Sequence, residues 1–327
     1  MITTSPWKLT IIALFALSAI GGTAFSLSAG AVYVSLADIW DALQDPAASH
    51  RDVIWNIRFP RTLVAALIGI NLSLSGAILQ GVMRNPMADP HIIGVSSGAG
   101  LVGIAVLILF PSYAYLLTPA AFLGGIGAAL VIYLLAWQGG ISPVRVVLAG
   151  VAVSAFLNSG ISALLTFYSD RVNGALLFMV GGLATRSWPH VSLLIPYTLL
   201  GGTLALIGVQ RMNVLLLGDA EAKSLGLRVE GMRLYLLAVA TLLAASSVSV
   251  VGMLGFVGLI VPHAARLLIG SDYRFLLPAS ALLGVTVLTI TDTLSRIMFA
   301  PVELPSGILM GVLGAPVFLW LLRRRGA

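Results

Sequence analysis

Apolar residues fall along this chain in long blocks parted by short polar breaks, and the length of the blocks decides what they become. A helix needs about 20 mostly apolar residues to cross a hydrocarbon core. Ten blocks meet or approach that length: 7–29, 60–82, 92–111, 118–137, 144–168, 190–209, 234–251, 253–270, 275–298 and 306–322. The first has the outline of a signal peptide, with Lys8, an apolar run and small residues near Ala29. Its apolar run is too long for a signal core, so it is read as a retained span. The pattern predicts an all-α integral membrane protein with about ten transmembrane helices.

An even number of spans places both termini on one side, and the bias of basic residues selects the side. With the termini in the cytoplasm, twelve of the eighteen Lys and Arg residues lie inside, among them Lys8, Arg84, Arg145, Arg211, Lys223, Arg228, Arg233 and Arg266. Arg51, Arg58, Arg61, Arg171, Arg186 and Arg296 lie outside. Three connections are long. Residues 30–59 lie outside and carry Asp38, Asp41, Asp45 and Asp52, which makes them a water-facing segment. Residues 169–189 also lie outside, but their Ala175–Leu183 stretch is apolar and rests in the interface or a vestibule. Residues 210–233 form the one sizeable cytoplasmic loop, rich in both signs of charge. Residues 1–327 therefore read as a single transmembrane domain, driven by a partner or by an ion gradient.

Composition agrees. Of the 327 residues, 59% are apolar and 9% charged, where a soluble chain carries about 25% charged residues. Mean hydropathy is +1.04. The absence of cysteine removes a disulfide framework, a thiolate metal site and a cysteine nucleophile. A net charge of +6 invites a nucleic-acid reading, but the basic residues are spread along the chain as membrane topology requires.

Several motifs match a pattern without its context. Gly98-Ala99-Gly100-Leu101-Val102-Gly103 fits the dinucleotide fingerprint, yet it opens an apolar span and the next acid is Asp170. Close helix packing by small residues explains it better. Gly94-Val95-Ser96-Ser97-Gly98 fits the nucleophile elbow, which would need a histidine and a carboxylate brought to Ser96. A phosphate-binding loop requires GK[ST], and the two lysines follow Trp7 and Ala222. No cluster of His, Tyr or acidic residues marks a chelating metal site. Asp292 is the clearest acid inside a span, and Arg296 at i+4 is its expected partner on one helix face. A gradient-driven secondary transporter working through Asp292 is the competing class. His263 follows Pro262 and is read as bonded to backbone that the proline frees.

One series of segments carries more. Ile57-Arg58-Phe59-Pro60-Arg61 leads into Ser75-Gly76-Ala77-Ile78-Leu79-Gln80, then Arg84-Asn85-Pro86-Met87-Ala88-Asp89-Pro90 and Ile93-Gly94-Val95-Ser96-Ser97-Gly98-Ala99-Gly100. Leu148-Ala149-Gly150, Gly255-Phe256-Val257-Gly258-Leu259-Ile260-Val261-Pro262-His263 and Arg266 follow, then Glu303-Leu304-Pro305-Ser306-Gly307 and Gly314-Ala315-Pro316-Val317-Phe318. The series resembles the FecCD-type permeases, membrane subunits of ABC importers for ferric siderophores, haem and cobalamin, over nearly the whole chain.

The resemblance implies a type II importer permease in a prokaryotic cytoplasmic (inner) membrane. Its implied partners are a second permease subunit, identical or paralogous, two cytoplasmic ATPases and an extracytoplasmic substrate-binding protein. ATP and Mg would sit on the ATPases, with no cofactor on this chain and no covalent chemistry. Leu217-Gly218-Asp219-Ala220-Glu221-Ala222-Lys223-Ser224-Leu225-Gly226 resembles the ATPase-coupling loop; the residues favour a short helix, with Asp219 in its first turn and Gly226 at its end. Arg58, Arg61 and Arg296 match outward-facing arginines that dock the binding protein, and the spacing of Arg58 and Arg61 suggests that both face outward at a helix mouth. Asn85, Met87, Ser142 and Pro143 match a cytoplasmic gate, with Pro143 standing where the family often has a small hydroxyl residue. Ser154, Asn158, Ser159, Ser162 and Thr166 would line the pathway, a mildly polar wall suited to a whole chelate.

Overall fold

The computed structural model describes residues 6–30, 34–45, 47, 48, 50–91 and 93–325. Every regular element among them is a helix: α1 (Pro6–Ser28), α2 (Leu36–Gln44), α3 (Phe59–Val82), α4 (Val95–Leu109), α5 (Leu117–Ala136), α6 (Pro143–Phe167), α7 (Val172–Val180), α8 (Trp188–Leu215), α9 (Asp219–Ser224), α10 (Val229–Val251), α11 (Val257–Ile269), α12 (Tyr273–Ile297) and α13 (Ser306–Arg325). A π-helical turn, Val53–Arg58, leads into α3.

Each of the ten apolar blocks coincides with a helix. Seven helices are long and apolar enough to cross a membrane, whereas α4, α11 and the apolar part of α13 are shorter. The block at 253–270 yields only the 13 residues of α11. Gly252 at φ +82° and Phe256 at φ +69° break the backbone between α10 and α11, and hydropathy does not register a dihedral. In the connection at 30–59, Ser35 and Asp38 form a reciprocal capping box that starts α2. That helix buries Ile39 and Ala42 and exposes Leu36 and Trp40. The apolar stretch expected at 175–183 is the body of α7.

The centre of the bundle is α3, packed against α8, α10, α11 and α12. Small residues allow the approach. A Cβ at Gly76 would run into the carbonyl of Gly258 on α11, and Gly98 and Gly124 pack each other's backbones where α4 crosses α5. Such crossings associate helices in a solvent as apolar as their own side chains.

One end of the bundle is marked by α2 and the other by α9. At the α2 end three helix termini are joined through backbone alone. Gly182 N–H donates to the Val251 carbonyl at 2.8 Å, Met253 N–H to Phe178 at 3.0 Å and Gly307 N–H to Gly181 at 3.1 Å. The ends of α7 and α10 and the start of α13 thus supply one another's missing partners.

Candidate functional site

At the α9 end, the sequence pins a short helix between two glycines. Gly218 (φ +131°) turns the chain out of α8, and Gly226 (φ +80°) turns it back toward α10. Ala222 is buried against the bundle, while Leu217 and Leu225 stand 60% and 64% exposed, an apolar pair facing away from the protein. Asp219 points inward. Its Oδ1 accepts a hydrogen bond from Arg233 Nη2 at 2.8 Å, and Arg84 Nη2 pairs with the same oxygen. Arg233 is 4% exposed and donates through Nη1 to the Ile141 carbonyl at 3.1 Å, while Ile141 N–H donates to Glu230 Oε2 at 2.7 Å.

Two further loops meet that carboxylate. Arg84 follows α3 in a Schellman arrangement, with Asn85 N–H donating to Gln80 O at 3.1 Å and Arg84 N–H to Gly81 O at 3.2 Å. This motif prefers glycine, yet Arg84 holds φ +46°, a left-handed conformation that costs a non-glycine residue about 1–2 kcal/mol. Next in the chain, Asn85 Oδ1 accepts from Met87 N–H at 2.9 Å, and the Met87 side chain is exposed. Ser142 caps α6 in an extended conformation, with Pro143 at the first helical position, where its missing N–H costs nothing. The expected coupling loop and both expected gate segments therefore share one end of the molecule. On the same end Asn213 Nδ2 donates to Asp272 Oδ1 at 2.8 Å. Hydrogen bonds from the Arg274 side chain hold the Asp272 carboxyl down at about 2.

At the α2 end, Arg58, Arg61 and Arg296 come together, but not as outward-facing groups. All three are buried, at 4%, 6% and 8% exposure. The π-helical turn ends at Arg58, and the guanidiniums of Arg58 and Arg61 both fold in against neighbouring helices rather than out to solvent. Arg58 Nη1 caps the end of α1, donating to the Leu27 and Ser28 carbonyls at 2.8 Å each. Arg61 grips Asp292 with two bonds of 2.9 Å, Nε to Oδ2 and Nη2 to Oδ1, and reaches Glu303 Oε2 with Nη1 at 2.8 Å. Arg296 donates to Ser26 O at 3.0 Å and lies 3.5 Å from Asp292. A cavity of about 230 Å³ opens over the three arginines and Glu303.

Helix α6 carries the expected lining. Asn158, Ser162 and Thr166 are exposed at i+4 spacing, Ser159 is exposed beside them, and Ser154 is half-buried one turn earlier. The Thr166 and Ser159 hydroxyls bond back to the Ser162 and Ala155 carbonyls at 2.8 and 2.9 Å. The asparagine side chain stays open on a face that the bundle does not cover.

Sequence reasoning missed one pairing and two participants. Asp292 pairs principally with Arg61, 231 positions away, and only weakly with the expected Arg296. Glu303 joins from the turn before α13, and Arg233 had counted only as a topology charge. Its i+3 spacing to Glu230 was the one local signal. The nucleophile elbow is not assembled, because the buried Ser96 hydroxyl has no hydrogen-bond partner among the described residues.

A bundle of apolar helices with small-residue crossings and ion pairs confined to its two ends is a membrane-spanning protein. Its sequence matches the FecCD transport family over residues 16–324, and the chain belongs to that family. It is 40% identical over 299 residues, 91% of this chain and 90% of the other, to the Fe(3+)-citrate import system permease protein YfmE of Bacillus subtilis. It is 42% identical over 275 residues, 84% and 74% of the two chains, to the cobalamin import system permease protein BtuC of Halobacterium salinarum. A solved structure assigned to the metal-chelate type of ABC transporter, in an inward-facing conformation, superposes with a TM-score of 0.87 at 30% identity, covering 96% of this chain and 99% of that one. The members are transport permeases, not enzymes.

Proposed function

We propose that this chain is the permease subunit of an ATP-binding-cassette importer that passes a ferric siderophore or related ferric chelate across the cytoplasmic membrane. The observation that carries the reading is similarity to import permeases along nearly the whole chain, joined to a short, apolar-tipped helix at one end of the bundle. In this reading residues 1–327 are one permease domain with the α9 end and both termini in the cytoplasm. The 217–226 loop seats in a partner ATPase through Leu217 and Leu225, and ATP and Mg reside on that partner. A second permease subunit covers the open α6 face, so that Ser154, Asn158, Ser162 and Thr166 border the path. Asn85, Met87, Ser142 and Pro143 narrow its cytoplasmic end. A substrate-binding protein docks over Arg58, Arg61 and Arg296, and ATP binding drives alternating access.

Haem and cobalamin are the alternative cargoes. The secondary-transporter reading has less behind it, since both oxygens of the Asp292 carboxylate are already engaged by Arg61. The test is a mild-detergent pull-down of the tagged protein from its native membrane, with mass spectrometry and an ATPase assay. A stoichiometric ATPase that is lost from a Leu225→Asp variant supports the importer. A chain recovered alone under several detergents overturns it.

A further inference from the structure

Three connections at the α9 end converge on one oxygen. Asp219 Oδ1 belongs to the first turn of α9, and it is shared by Arg84, from the segment that continues into Asn85 and Met87, and by Arg233. Arg233 in turn holds the carbonyl of Ile141, the residue before Ser142 and Pro143. A single carboxylate thus ties the short helix to both segments that bracket the end of the bundle. The two arginines differ. Arg233 is buried, reaches two elements and is braced beside Glu230, so it is a fixed post. Arg84 and Asp219 are 38% and 40% exposed, so their pair makes and breaks in water at little cost. Yet the backbone at Arg84 is held in a conformation suited to glycine, and in return its guanidinium reaches Asp219. Strain kept at an exposed residue, where no core packing is gained, points to a role in motion rather than in stability.

We propose that Arg84 is a positioning residue: its pair with Asp219 transmits displacement of the α9 helix to the Arg84–Met87 segment, while Arg233 carries the same displacement to Ile141–Pro143. The inference rests on the coupling role proposed for the 217–226 loop. It adds the route by which movement at the ATPase face reaches the pathway. Exposure suits the Arg84 arm of the route, because a pair in water can re-form in every cycle at little cost, while the buried Arg233 stays bonded and moves with α9.

The chain has no cysteine, so paired labels can be placed at will. Met87→Cys and Val144→Cys, both at exposed positions, carry spin labels in the complex purified with its ATPase, and their separation is measured without nucleotide and after trapping with ATP and vanadate. Arg84→Gly is the test variant, since glycine fits the left-handed backbone and the fold survives. Its melting temperature is expected to equal or exceed that of the unsubstituted chain, with the ATPase retained and the nucleotide-driven change in label distance lost. Arg84→Lys, which keeps a charge within reach of Asp219, restores part of the change. A brace that serves stability alone would lower the melting temperature and leave the distance change intact. An unchanged response in Arg84→Gly overturns the inference and leaves the coupling reading standing. A Leu225→Asp variant that still holds the ATPase overturns the coupling reading, and this inference with it.

Discussion

The two ends of the bundle each gather arginines around a carboxylate, and they do it in opposite ways. At the α2 end Asp292 is fully buried, and Arg61 meets it with two parallel bonds, the geometry in which guanidinium and carboxylate fit best. At the α9 end Asp219 is 40% exposed and shares one oxygen between two arginines. A pair removed from solvent cannot open without leaving charges unsatisfied, so the α2 end is locked to its neighbours, α1, α3 and α12. At the α9 end only the Arg84–Asp219 pair lies in water and opens at little cost, while Arg233 keeps its hold on Asp219, so that end can change shape around one fixed bond.

The sharpest way to break this comparison is Asp292→Ala. Removing one member of a buried pair leaves Arg61 uncompensated, an effect of about 3–5 kcal/mol. Thermal unfolding in detergent should fall accordingly, and a melting temperature near that of the unsubstituted chain would show that the α2 end is not locked. By the same logic Arg61→Glu would set a carboxylate against Asp292 and report on folding before it reports on docking. A docking test therefore needs the exposed partner. Glu303 is 47% exposed and occupies Arg61 Nη1, where an incoming carboxylate would bind. Glu303→Gln should leave the fold intact and loosen the hold on that donor, since the amide oxygen still accepts but the charge is gone. An exposed pair is worth about 0.2–1 kcal/mol, so binding-protein affinity should tighten a few-fold, measured by titration of the reconstituted permease. Weaker binding would place Glu303 on the docking face itself.

The smallest effect is a pH dependence at the α9 end. Asp272 holds its proton less tightly folded, at about 2, than its ordinary 3.8. The stability it contributes is complete above the ordinary value and is lost as pH falls toward the folded one. The melting temperature should therefore decline over that window, and Asp272→Asn should flatten the decline. An identical slope in the variant would assign the decline to other groups.

Much of the fold was legible because long apolar blocks leave few alternatives to spanning helices. What lay hidden was which faces pack on protein. Helices α3 and α6 are about equally apolar, yet α3 is mostly buried and α6 mostly exposed. Lipid is as apolar as leucine, so composition does not separate a central helix from an open one. The i+4 rule found Arg296 beside Asp292 but not Arg61, because the better geometry comes from another helix. The coupling segment was visible for the opposite reason: its glycines, alanines and alternating charges act locally. In sequence Arg84 is a topology charge and one letter of a motif, since its strain is a property of backbone dihedrals that no residue pattern spells out.

The seam joining α7, α10 and α13 is sewn with peptide groups, and Gly252 and Gly307 have no room there for any side chain. Beside it lies a cavity of about 350 Å³, walled by Leu107, Phe178, Thr185 and Leu304 among others. The fastening is backbone, and although Phe178, Gly182 and Val251 belong to both seam and wall, Leu107, Thr185 and Leu304 belong to the wall alone. Those three can be exchanged for larger, smaller or more polar residues without unpicking the stitches that hold the three helix ends. The upholstery of that cavity can thus be changed while the frame stays fastened, and a library of substitutions at those wall positions would show how far its shape can be altered before the seam gives.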